Sequence, residues 1–191
     1  MAKQSKRDLI LLALESLLPG KRFHEITLDE VSRVAQVGKG TIYLYFRDKD
    51  ALFSEMVCFR LEQLQHELEE LLESTQDDLP KLLMESIISF INQHRAGFGQ
   101  DGEFAAQVAK MSPEELEKVK SIARNIIDVA AALMKKSCSS WSDAQARNYA
   151  HIFLWMIDGY ARSQMGGAMD LPEPELLLEF FRNGSGITQH N

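Results

Sequence analysis

The amino-acid sequence predicts an all-α chain of about nine helices. An N-terminal three-helix unit holding a helix-turn-helix (residues 1–49) is joined to a larger helical body (residues 50–191). Three observations carry this reading. Apolar residues recur at three- and four-residue spacing through most of the chain. Glycine and proline are sparse, 11 and 5 of 191 residues, and most fall at breaks between periodic segments. The stretch Thr27–Lys49, TLDEVSRVAQVGKGTIYLYFRDK, reads as a capped helix, a sharp turn, a short second helix and the start of another.

The first helix is expected from Ser5 or Lys6 to Leu18, with Leu9, Leu12, Ala13, Leu17 and Ile10 on its buried face, and Pro19-Gly20 ends it. Phe23 and Ile26 lead into Thr27, an N-cap whose capping box is completed by Glu30. The second helix buries Leu28, Val31, Val34 and Ala35. Gly38 is the expected turn residue, since glycine takes φ > 0 without strain. Lys39–Phe46 forms the third helix, and a unit this small has a marginal core and needs support from the rest of the chain.

A fourth helix of about 25 residues, opening at Asp48 or Lys49 and ending near Glu73, would be ~37 Å long. Ser74–Asp78 is a polar break. Leu79–Arg95 is the fifth helix, tolerant of Pro80 in its first turn. The glycine-containing stretch 96–102 reads as a loop, Phe104–Lys110 as a short helix, and Ser112-Pro113-Glu114-Glu115 as the capped start of the seventh. Val119, Ile122, Ala123, Ile126, Ile127, Ala130, Leu133 and Met134 form its apolar stripe, with Lys135 and Lys136 at the favourable end of the dipole. The helix opening at Ser142-Asp143 is apolar nearly all round through Tyr149–Ala161, which implies two buried faces. Gly159, Ala161, Gly166 and Gly167 permit close approach. After Pro172 and Pro174 a last helix adds Leu176, Leu177, Leu178, Phe180 and Phe181, and Asn183–Asn191 is a tail. One face of these last two helices (about 142–166 and 173–183) fits a body core and the other a second subunit, which predicts a homodimer. The alternative is a large monomeric core.

The net charge of −7 is unevenly divided. Residues 1–49 hold nine Lys/Arg and six Asp/Glu, net +3, whereas the remainder is net −10. A basic head on an acidic body suits a protein that meets phosphates at one end. Lys3, Lys6 and Arg7 form a basic arm, read equally as a phosphate contact or a solvated segment. Cys58 and Cys138 read as free thiols in a reducing cytoplasm, a redox pair being the lesser alternative. Neither zinc-ligand spacing nor an apolar run of eighteen residues occurs, so no metal, no cofactor and no membrane span is expected. No carboxylate pair or Ser/His/Asp set points to an enzyme.

The third helix has an unusual surface. Lys39, Thr41, Tyr43 and Tyr45 offer one cation and three hydroxyls, with no acid in the segment before Asp48. Donors without carboxylates suit the major groove of double-stranded DNA, where a carboxylate meets phosphate repulsion.

Over about Ser5–Val57 the sequence resembles the TetR family of bacterial transcriptional regulators. Its pattern is matched by Thr27-Leu28-Asp29-Glu30-Val31, Ala35, Val37, Gly40-Thr41-Ile42-Tyr43, Phe46, Lys49 and Leu52. Ser32 stands where the family often has alanine, Gln36 where its alanine-glycine pair is completed, and Tyr45 where histidine is frequent. The resemblance implies that Lys39, Gly40 and Thr41 read bases, while Thr27, Tyr43, Tyr45 and Lys49 hold phosphates. Lysine reaches guanine O6/N7, the threonine methyl meets thymine, and glycine lets the backbone come close. Tyr43 has a second reading as a core-edge tyrosine; Ile42, Leu44 and Phe46 are expected to be structural.

The expected function is that of a repressor on a near-palindromic DNA operator, released by a small apolar or amphipathic effector. Phe59, Met84, Ile87, Phe90, Ile126, Phe153 and Met156 are the candidate effector residues, each with an ordinary core reading beside it. His94 and His151 are possible orienting groups for a polar part of the ligand. The competing class is a helical ligand-sequestering or protein-interaction module without DNA binding.

Overall fold

The computed structural model describes residues 5–95, 103–163 and 173–185. Lys3, the expected loop at 96–102, Gly166, Gly167, Pro172, the end of the tail and the side chain of His94 lie outside the described residues. Within them there are nine α-helices: α1 Lys6–Leu17, α2 Leu28–Val34, α3 Lys39–Tyr45, α4 Lys49–Glu73, α5 Leu79–Arg95, α6 Glu103–Val108, α7 Pro113–Ser137, α8 Asp143–Ser163 and α9 Pro174–Ser185. Two 3₁₀ turns, Leu18–Gly20 and Phe23–Glu25, follow α1. None of these helices is long and apolar enough to cross a membrane.

Local chemistry sets many of the helix starts. Ser5 Oγ accepts from the Asp8 amide at the head of α1. Reciprocal capping boxes open α7, between Ser112 and Glu115, and α8, between Ser142 and Gln145. Asp48 Oδ1 accepts from the Ala51 amide at 2.8 Å and caps α4. Each of these satisfies an amide that the first helical turn leaves without an intrahelical partner.

The described residues fall into two compact units, Met1–Leu61 with Gln93–Ser121, and Glu62–Asn92 with Ile122–Asn191. In the first, α1, α2 and α3 share a core with the opening turns of α4. Leu11, Leu14, Phe23, Ile42, Phe46 and Phe53 are among its buried side chains. Val108, Met111 and Val119 pack against this core as well. Arg60 is buried here too, its Nε 3.1 Å from Glu15 Oε1. Burial pushes the Arg60 pKa down, and the Glu15 carboxylate opposes that shift.

The buried face of α1 differs from expectation. Ile10, Leu11, Ala13 and Leu14 are buried, whereas Leu9, Leu12 and Leu17 are half-buried. The helix is apolar on more than one side, so its periodicity does not single out one stripe. Leu9 and Leu12 instead line a shallow groove with Ser16, Val34 and Gln36.

In the second unit, α8 buries Ala146, Ala150, Phe153, Ile157 and Ala161, a run at helical spacing. Phe153 and Phe181 stack with ring centroids 4.3 Å apart, and Trp141 meets Tyr149 at the same separation. Lys136 Nζ donates to the carbonyls of Leu72 and Ser74, satisfying acceptors at the end of α4. Cys58 is buried and Cys138 half-buried, and neither takes part in a disulfide.

Candidate nucleic-acid interface

The helix-turn-helix is built by local bonds that begin at Thr27. Its Oγ1 accepts from the Glu30 amide, and the Glu30 carboxylate accepts from the Thr27 amide at 3.0 Å and from the Thr27 hydroxyl at 3.1 Å. Lys21 donates to the same carboxylate. That lysine bond, followed by the two Thr27 bonds, lowers the Glu30 pKa to about 2.

The turn is made differently from the expectation placed on Gly38. Gly38 is extended, with φ −68°, and Gln36 is the residue in the left-handed region, at φ 55°. The Val37 amide donates to the Ser32 carbonyl and the Gln36 amide to the Arg33 carbonyl, the paired closure of a Schellman C-terminus. Such a position favours glycine, which pays no Cβ penalty there. Gln36 takes the strained conformation because those bonds and the packing of Val37 against the core hold it.

Helix α3 is seated by Ile42 and Phe46, both buried. Its other faces stand in solvent: Tyr43 is 53% exposed, Leu44 82% and Tyr45 48%. Leu44 is therefore not structural, contrary to expectation. On a helix of 3.6 residues per turn it lies about 180° from the direction that Ile42 and Phe46 share. The anchoring pair itself carried the signal for its exposure. Gly40 is open, since a Cβ added there meets nothing within 4 Å, and Thr41 is half-buried.

The seven candidate DNA residues thus fall into two groups. Lys39, Gly40, Thr41, Tyr43 and Tyr45 are brought together on α3, four of them exposed. Thr27 and Lys49 already have structural uses. The Thr27 hydroxyl bonds Glu30, and the Lys49 ammonium donates to the Phe23 carbonyl while lying 4.4 Å from the Phe23 ring centroid. Burial pushes the Lys49 pKa down, the nearby carboxylates of Glu103 and Asp50 opposing it.

One residue at this surface was not anticipated. Asp29, on α2, pairs with the Lys39 ammonium and so sets a carboxylate beside a helix that has none of its own. The two lie ten residues apart, on different helices, and no helical spacing announces the pairing.

The effector candidates divide between the units. Phe59 belongs to the first and packs against its core. Met84, Ile87, Phe90, Ile126, Phe153 and Met156 belong to the second, four of them buried and Phe90 and Met156 half-buried. His151 is half-buried in the same unit, its ring 6.1 Å from that of Trp155.

Comparisons with known proteins agree with this geometry. Residues 5–56 match the family model of bacterial regulatory proteins, tetR family. An HTH-type transcriptional regulator of Bacillus subtilis, YhgD, is 34% identical over 68 residues. That match covers 36% of this chain, and the chain spans about a third, 36%, of that relative's length. The HTH-type transcriptional repressor BepR of Brucella suis is 26% identical over 176 residues, covering 84% of this chain and 81% of that protein. The crystal structure of a TetR transcriptional regulator from Legionella pneumophila superposes with a TM-score of 0.68 at 12% identity, over the whole of both chains. The capped α2, the Schellman turn and the outward donors of α3 all lie inside the segment that matches the model of bacterial regulatory proteins of the tetR family.

Proposed function

We propose that the protein is a transcriptional regulator, not an enzyme, that binds a near-palindromic DNA operator as a homodimer and represses transcription until a small apolar or amphipathic effector releases it. The observation that carries this reading is the surface of α3. Lys39, Tyr43 and Tyr45 stand outward from a helix pinned by Ile42 and Phe46. Hydroxyl and ammonium donors that stand out from an anchored helix are suited to phosphates and base edges. In a two-fold dimer the two copies of α3 would enter successive major grooves ~34–36 Å apart.

Dimerisation is supported by the apolar side chains that α8 and α9 leave in solvent. Ile152, Trp155, Leu176 and Phe180 are all about half or more exposed, Trp155 at 74%. Such a patch marks an interaction surface, and the two helices from each of two copies would cover one another. The effector is placed among Met84, Ile87, Phe90, Ile126, Phe153 and Met156, whose apolar and polarisable side chains suit an apolar ligand. A cytoplasmic site of action follows from the DNA partner.

The test is binding to a duplex that carries an inverted repeat from the DNA flanking the coding region. Binding that weakens steeply with salt, and that weakens further in Tyr43→Phe, is expected. Binding that is absent or indifferent to salt would favour the competing reading, a helical ligand-sequestering or protein-interaction module.

A further inference from the structure

Asp29 holds the ammonium of Lys39 by both carboxylate oxygens, 2.7 Å from Oδ1 and 3.0 Å from Oδ2. The two side chains are 63% and 53% exposed, so the pair lies at the surface. Asp29 is the second residue of α2, where the helix dipole favours a carboxylate; Lys39 is the first of α3, where the dipole disfavours a cation. The carboxylate offsets that cost, and it is the main cause of the upward shift of the Lys39 pKa.

We propose that Asp29 is a specificity-determining residue of the DNA site, one that keeps the Lys39 ammonium from arbitrary phosphates and releases it to a guanine edge. The proposal rests on the DNA-binding reading above. A lysine that leaves a carboxylate for a phosphate exchanges one anion for another and brings the abandoned Asp29 charge close to the backbone. Guanine instead offers O6 and N7, two acceptors without a net charge. The ammonium can then bond the base while Asp29 stays beside it without repulsion. Asp29 therefore penalises binding that has no sequence match more than binding that has one.

The experiment uses the full chain and two duplexes of equal length, one selected by the wild-type protein from a random-sequence pool and one of mixed sequence. Affinities are measured across a salt series for wild type, Asp29→Asn, Lys39→Met and the double variant, with Asp29→Glu as the conservative replacement and thermal melting as the check on folding. In Asp29→Asn each freed lysine neutralises one more phosphate. The log–log salt slope on mixed-sequence DNA should steepen by about 0.9 per lysine, and affinity at about 0.15 M salt should rise about five-fold per lysine, about 25-fold for the two lysines of a dimer. Affinity for the selected duplex should change less than about two-fold, so that the preference between the duplexes falls. Asp29→Glu should restore it. On Lys39→Met, adding Asp29→Asn should leave the slope unchanged.

A slope increase that persists without Lys39 would overturn the proposal, because Asp29 would then act only as a local charge. An Asp29→Asn protein with undiminished preference would overturn it too. If the wild type selects no duplex at all, the DNA-binding reading itself fails and this proposal falls with it. That result is distinct from a selected duplex whose recognition ignores Asp29.

Discussion

Helix α3 and the pair α8–α9 both hold large side chains in solvent, and they do so with opposite chemistry. The seven residues of α3 expose a lysine, two tyrosines and a leucine; α8 and α9 expose Ile152, Trp155, Leu176 and Phe180. Each surface is backed by a buried anchor, Ile42 and Phe46 in one case, Phe153 and Phe181 in the other. The difference lies in the partner that each suits. Hydroxyl and ammonium groups keep their water until a polyanion replaces it, whereas an apolar patch gains by leaving water altogether. A single chain can therefore carry one face for DNA and another for its own copy.

The comparison can be broken most severely at the anchor of α3. Phe46→Ala should cost about 3–5 kcal/mol through the cavity it leaves. Chemical denaturation would measure that loss, and DNA binding should disappear with the seat of α3. Next in size, truncating Trp155 and Phe180 to alanine should weaken the dimer at least about thirty-fold, the equivalent of about 2 kcal/mol. Sedimentation would detect the monomer while circular dichroism stayed helical; an unchanged dimer would remove α8–α9 from the interface.

Smaller effects sharpen the comparison at the turn that aims α3. Gln36→Gly relieves a left-handed conformation costing about 1–2 kcal/mol and gives back about 0.5–1 kcal/mol in chain entropy. A rise in melting temperature of about 2 °C is expected; a fall would mean that the glutamine side chain contributes more than its backbone costs. The smallest change concerns Glu30. Its folded pKa of about 2 lies below the ordinary 4.5. Its contribution is thus fully present above pH 4.5 and is lost as pH falls through about 2. Glu30→Gln keeps the capping geometry and should flatten the pH dependence of stability in that window.

Much of the fold was legible because its signals are local. Thr27 with Glu30, Ser112 with Glu115 and Ser142 with Gln145 lie three residues apart, within the reach of a single helical turn, and each marks a helix start where the structure has one. The buried side of α1 was harder to read, because Leu9 to Leu14 are apolar on every face and only the tertiary core chooses among them. At the candidate site, the donors of α3 could be read from spacing alone. Leu44 could have been read from the same spacing, had Ile42 and Phe46 first been fixed as the inward pair. The Asp29–Lys39 contact and the left-handed Gln36 could not be read in this way. The first depends on how two helices cross, and the second on a turn closed by backbone bonds without the usual glycine.

The two tryptophans of the chain occupy contrasting surroundings. Trp141 is buried against Tyr149, and Trp155 stands 74% exposed on α8. Together they make the protein its own fluorimeter. The indole of Trp141 reports whether the second unit is folded, and that of Trp155 reports whether a partner has covered it. With Trp141→Phe in hand, the shielding of Trp155 from an aqueous quencher would follow subunit assembly in real time without an added label.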